Sequence, residues 1–166
     1  MMKILKWSGV TLAVIVMGVQ LVRPEKINPP VDTARTLQAH AQVPPEVYAI
    51  LKRACYDCHS NETRWPWYSN VAPVSWFVID HVNHGRKHLN FSDWAQSGRH
   101  SEKQDLQAQL DEIIEEVKSR NMPLSSYLPL HPEAKLSDED VKVICEWAKT
   151  ERERLAYESR SGTPVR

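Results

Sequence analysis

The chain of 166 residues has no excess of either charge, with 21 Lys plus Arg against 21 Asp plus Glu. A protein that grips nucleic acid without sequence preference carries a basic surplus to neutralise phosphates, so that class is set aside. The length leaves no room for a dinucleotide-binding domain with a separate substrate domain, or for a barrel; it suits one ordinary domain. Strand-like alternation and internal repeats are both missing. Sulfur is scarce: 3 Cys and 4 Met. No acid–base pair or nucleophile constellation points at a substrate, which favours a carrier over a catalyst.

Acid is also missing from the first 23 residues, which hold Lys3, Lys6 and Arg23; the remainder has 18 basic against 21 acidic groups. Trp7–Val22 contains no charged residue. As a helix this stretch is about 24 Å long, marginal for a membrane span, which usually needs roughly 17–25 apolar residues. Ile4 and Leu5 extend it if Lys6 snorkels. It ends in Gln20-Leu21-Val22-Arg23-Pro24, with no Ala-x-Ala cleavage site. The expectation is a single N-terminal transmembrane helix over 1–23, an anchor or signal anchor. Lys3 and Lys6 then stay cytoplasmic, and the rest faces the periplasm or the exterior of the inner membrane. Pro29-Pro30 marks 24–43 as a Pro-rich tether.

The soluble part reads as helices. Pro44-Pro45-Glu46 opens one, with Val47, Ile50, Leu51 and Ala54 on a single face. A second is expected from about Pro73 to Leu89, with Val74, Phe77, Val78 and Val82 on one side. A third starts at Ser101, where Gln104 completes a capping box, and ends near Asn121-Met122-Pro123. Ser137-Asp138-Glu139-Asp140 caps the last, with Val141, Ile144, Cys145 and Ala148 inward and the charged Lys149–Arg160 stretch solvated. The fold class is all-α.

The first of these faces runs into Cys55-Tyr56-Asp57-Cys58-His59. Two thiols three positions apart on a helical turn can reach the two vinyl groups of one haem, and the next residue can then offer imidazole to the iron. A redox CxxC belongs in a βαβ context that is absent here. A zinc site needs two further ligands; His84 and His88 have a suitable mutual gap but lie too far from Cys58 for a finger. One covalent haem c, with Cys55 and Cys58 as attachment points and His59 on the iron, is the expected cofactor. Haem of this type is attached outside the cytoplasm, in agreement with an exported chain.

The segments CYDCHSNETRWPWYSNVAPVSW, DHVNHGRKHLNFSDW and MPLSSYLPLHPEAKLSDED resemble the bacterial haem-binding domain family, small membrane-anchored proteins similar to c-type cytochromes. The likeness covers about residues 24–150. It implies haem binding more firmly than any pathway. It also implies a small cytochrome-like helical domain, here 44–160, with 161–166 as a tail. The long insert between His59 and Met122 departs from single-haem cytochromes.

Met122 is the only methionine of the soluble part and sits in a loop after a helix, so its thioether is the expected distal ligand. The alternative is a His: His81, His84 and His88 recur at helical spacing on one side, where they could also hold a separate metal. His131 is a weaker candidate. Arg64, Trp65, Trp67 and Arg86 are candidates for lining the porphyrin or binding its propionates. Pro66 or Pro73 is placed to offer a carbonyl to His59. Cys145 reads as a small buried hydrophobe. The functional expectation is single-electron transfer with a redox partner that the sequence does not identify. A haem-based peroxidase or gas sensor with an open distal position is the alternative, and a non-haem metal module the third.

Overall fold

A computed structural model describes residues 2–94 and 103–161, all helix, turn and loop. The α-helices are α1 (Met2–Val19), α2 (Leu37–His40), α3 (Pro45–Ala54), α4 (Tyr56–His59), α5 (Val74–His88), α6 (Lys103–Lys118) and α7 (Asp138–Ser161). Short 3-10 turns occupy Thr33–Arg35, Trp67–Asn70 and Pro132–Ala134. The Ser101 cap lies outside the described residues.

Proline at the start of α3 costs no helix hydrogen bond, and Val47, Ile50, Leu51 and Ala54 are buried as the spacing predicts. The cap of α7 is reciprocal: Asp140 N–H donates to Ser137 Oγ (3.0 Å), and Ser137 N–H donates to Asp140 Oδ2 (2.7 Å). Helices α6 and α7 pack along their lengths, and α3 lies across α7. Cys145 is buried on that face.

The N-terminal helix is shorter than expected. No helix among the described residues is long and apolar enough to cross a membrane. Helix α1 stops at Val19, so its uncharged part runs from Trp7 to Val19, about 20 Å against a hydrocarbon core of roughly 30 Å. Beyond Val19 the backbone tightens into i→i−3 turns at Gln20, Leu21 and Val22, and the Gln20 side chain pairs with both backbone groups of Ala72 (3.0 Å each). Trp7, Leu12 and Met17 all stay exposed.

The segment expected as a spacer is bonded to the domain from Lys26 onward and enters its core at Leu37. Leu37 is wholly buried, and its N–H donates to the Phe91 carbonyl (2.8 Å). Arg35 grips Asp93 through two hydrogen bonds of 2.9 and 3.0 Å. The Phe91 ring lies stacked between Tyr56 and Trp94, and Phe91 N–H donates to the His59 carbonyl (2.8 Å). This segment also covers part of the α7 stretch expected to be solvated. Glu151 is buried, accepting from Gln42 N–H (3.0 Å) and pairing with Arg154. Leu37→Ala should therefore cost about 3 kcal/mol of stability, as deletion of a packed Leu does. Denaturant unfolding measures it; a loss within experimental noise would return the segment to the role of a spacer.

Candidate functional site

Helix α3 ends at Cys55, whose backbone (φ −124°, ψ −36°) departs from helix before α4 begins. Cys58 and His59 N–H both donate to the Cys55 carbonyl, at 3.1 and 2.9 Å. The motif is thus a single tight turn that gathers both thiols and the imidazole. Helix α5 presses on it at Gly85, where a Cβ would stand 2.7 Å from the Cys58 carbonyl oxygen.

This turn forms one wall of a cavity of about 430 Å³, within the usual range for small-molecule and cofactor sites. Leu51, Phe91, Ile113, Val117 and Leu124 give much of the cavity an apolar lining, and Met122 opens onto it. Met122 reaches this place through the end of α6. Arg120 takes a left-handed conformation (φ 60°), and the N–H groups of Asn121 and Met122 both return to the Glu116 carbonyl (3.1 and 3.2 Å). A left-handed residue stops a helix and turns the chain sharply. Arg120 then fixes the turn by bonding the Leu136 carbonyl (2.8 Å) and the Asp138 carboxylate.

His59 is held by the backbone carbonyl of Leu89, 3.1 Å from Nδ1, rather than by one near Pro66 or Pro73. A carbonyl only accepts, so Nδ1 carries the proton and Nε2 keeps its lone pair. Burial lowers the imidazole's affinity for a second proton, against the opposing pull of the Leu89 and Gly85 carbonyls. The net effect favours the neutral ring, which could offer Nε2 to a metal. Cys55 and Cys58 face the cavity rather than bulk water. Burial, with Cys58 beside it, pushes the Cys55 thiol up to about 12; burial, with Asp57 beside it, pushes Cys58 to about 11. Redox CxxC thiols work as thiolates, which this site disfavours. No cluster of three His, Cys, Asp or Glu that could hold a metal ion occurs among the described residues.

His81, His84 and His88 border the same cavity from α5, so they remain rivals to Met122. The buried side of α5 is Ser75, Ile79 and Val82, whereas Val74 and Phe77 of the expected stripe are exposed. Arg64, Trp65, Trp67 and Arg86 are not on the cavity wall. Arg86 is instead a staple. Its guanidinium donates to the Ser60 and Ile27 carbonyls, Asn28 Oδ1 and Thr63 Oγ1, at 2.6–2.8 Å. Trp65 lies under that guanidinium. The Arg64 N–H donates to Asp57 Oδ1 (3.1 Å), and its side chain is exposed. Trp67 is 73% exposed.

Two contacts at the cavity escaped the sequence reading. Tyr127 O–H donates to Asp57 Oδ2 (2.9 Å), tying the loop after Met122 to the middle of the motif. Gly85 gives the motif room. Only long-range proximity reveals either, and one sequence does not carry it. His131 is off the cavity wall, bonded to Tyr68 Oη at 2.7 Å.

Paired thiols and a neutral imidazole on one turn, facing an apolar cavity that a thioether also enters, suit the chemistry of haem; the site defines a haem-binding protein. The family model described as a haem-binding domain matches residues 14–150, and the chain belongs to that family. No curated protein and no solved structure matches it.

Proposed function

We propose that the protein carries one haem c covalently and exchanges single electrons outside the cytoplasm. The observation that supports this most is that Cys55, Cys58, His59 and Met122 share one cavity. Cys55 and Cys58 would bind the vinyl carbons as thioethers, and His59 Nε2 and the Met122 sulfur would ligate the iron. When bound, the iron supplies a one-electron couple. The Leu89 carbonyl keeps the His59 ring oriented, the apolar wall excludes water, and the thioether favours reduced iron. Thioether attachment sets the compartment, and the exposed apolar α1, with its basic start, serves export and association with the membrane.

The deciding measurement is a pyridine haemochrome spectrum of denatured protein made in a host with haem-attachment machinery. The expected result is a haem c spectrum that survives acidified solvent extraction and disappears when Cys55 and Cys58 are both changed to Ser. Extractable haem, or none, overturns the reading. The three histidines that border the cavity alongside Met122 favour a second reading, a haem-based peroxidase or gas sensor with a labile distal position. Ready binding of carbon monoxide by the reduced protein would select it.

A further inference from the structure

An unbroken run of aromatic contacts leads from the cavity wall to the surface. Tyr127 lines the cavity. Its ring stacks on His131 with centroids 4.0 Å apart and planes 8° from parallel. His131 Nε2 lies 2.7 Å from Tyr68 Oη, and the Tyr68 ring meets the edge of Trp67 at 5.8 Å between centroids. Trp67 ends the series 73% exposed, beside the exposed Val71, Val74 and Phe77. The His131 tautomer is set from its other side, where Nδ1 is 3.3 Å from Glu133 Oε1. The N–H therefore faces the carboxylate, and Nε2 accepts from the Tyr68 hydroxyl.

We infer that Trp67–Tyr68–His131–Tyr127 is the route by which electrons pass between the protein surface and the haem cavity, with the exposed Trp67 edge as its outer terminus. This rests on the haem reading above. One electron leaves an external one-electron donor, which is oxidised, and one ferric iron becomes ferrous. The four side chains serve as a coupling bridge and end unchanged. Both phenolic protons stay in place, on the bonds to Asp57 and His131. A hydrogen bond or a ring contact carries electronic coupling better than a gap of the same length, so a surface lacking such a chain is a poorer terminus. Burial raises the pKa values of both phenols, the nearby Asp57 carboxylate adding to the effect, so neither hydrogen bond is lost to ionisation near neutrality.

The test is photoinjection into the full-length holoprotein. A ruthenium photoreductant is attached through Trp67→Cys in one sample, where it stands in for the Trp67 terminus so that the Tyr68–His131–Tyr127 part of the route is read, and through Lys149→Cys, exposed on α7, in the other; the native Cys145 is buried and spared. Ferric haem reduction is followed by flash absorption. Each sample is then remade with Tyr68→Phe, which removes the hydroxyl bonded to His131, and separately with His131→Leu. Both changes should slow injection from position 67 several-fold, while injection from position 149, the haem spectrum and the reduction potential hold steady. Rates from position 67 that do not change, or that fall equally from both positions, overturn the route. A chain without a haemochrome spectrum shows no injection from either label, and then the haem reading fails first.

Discussion

Gly85→Ala should leave most chains without haem attached and lower stability by about 1–3 kcal/mol, the usual cost of overpacking. In a helix this exchange ordinarily helps, because Ala is favoured over Gly by about 0.8–1 kcal/mol. Here the sign reverses. The new Cβ would stand 2.7 Å from the Cys58 carbonyl oxygen and 3.3 Å from its carbon, and backbone atoms cannot swing aside. Helix α5 must retreat from the motif. The Leu89 carbonyl, directly after α5, retreats with it and loosens its hold on His59 Nδ1. Motif and imidazole are thus disturbed together. Haem content per chain and denaturant unfolding of the same preparation measure the two effects. Gly18→Ala is the control, since nothing lies within 4 Å of a Cβ there. If Gly85→Ala loads haem fully and is as stable as the parent, the contact between α4 and α5 is looser than described.

The same contact explains which parts of the site could be read from the sequence. Local rules act within a few residues and were legible: the apolar face of α3 leading into the thiols, the Ser137–Asp140 cap of α7, the end of α6 before Met122. The orientation of α5 was not. Its hydrophobic pattern favoured Val74, Phe77, Val78 and Val82, yet Val74 and Phe77 are exposed. A glycine that fits against a carbonyl decided the packing, and a glycine adds nothing to a hydrophobic stripe. Arg86 misled for a related reason. A cation near a haem motif suggests propionates, but four acceptors from two segments, 27–28 and 60–63, occupy it. Leu37 and Phe91 join the core by pairing segments far apart in sequence, and proline-rich composition around Leu37 gave the opposite impression. The N-terminal expectation is left without support on length: the apolar run was visible, but not that α1 stops at Val19, where Gln20 bonds to Ala72.

Met122→Ala should keep the haem and lose its character. With Cys55 and Cys58 holding the group covalently, as proposed, the haemochrome yield should match the parent. The weak red absorption of a methionine sulfur on ferric iron should vanish, the reduction potential should fall, and the reduced protein should begin to bind carbon monoxide. The direction follows from ligand softness: a thioether prefers ferrous iron, and its removal withdraws that preference. The geometry makes Met122 the natural candidate, because the left-handed Arg120 turns the chain into the cavity and both Asn121 and Met122 are pinned to Glu116. His81, His84 and His88 supply the contest, since all three border the same space. If the parent already lacks the red band, or Met122→Ala retains it, the distal ligand is not Met122. The three histidines changed singly to Leu then identify it, because only the ligand's removal opens the iron to carbon monoxide.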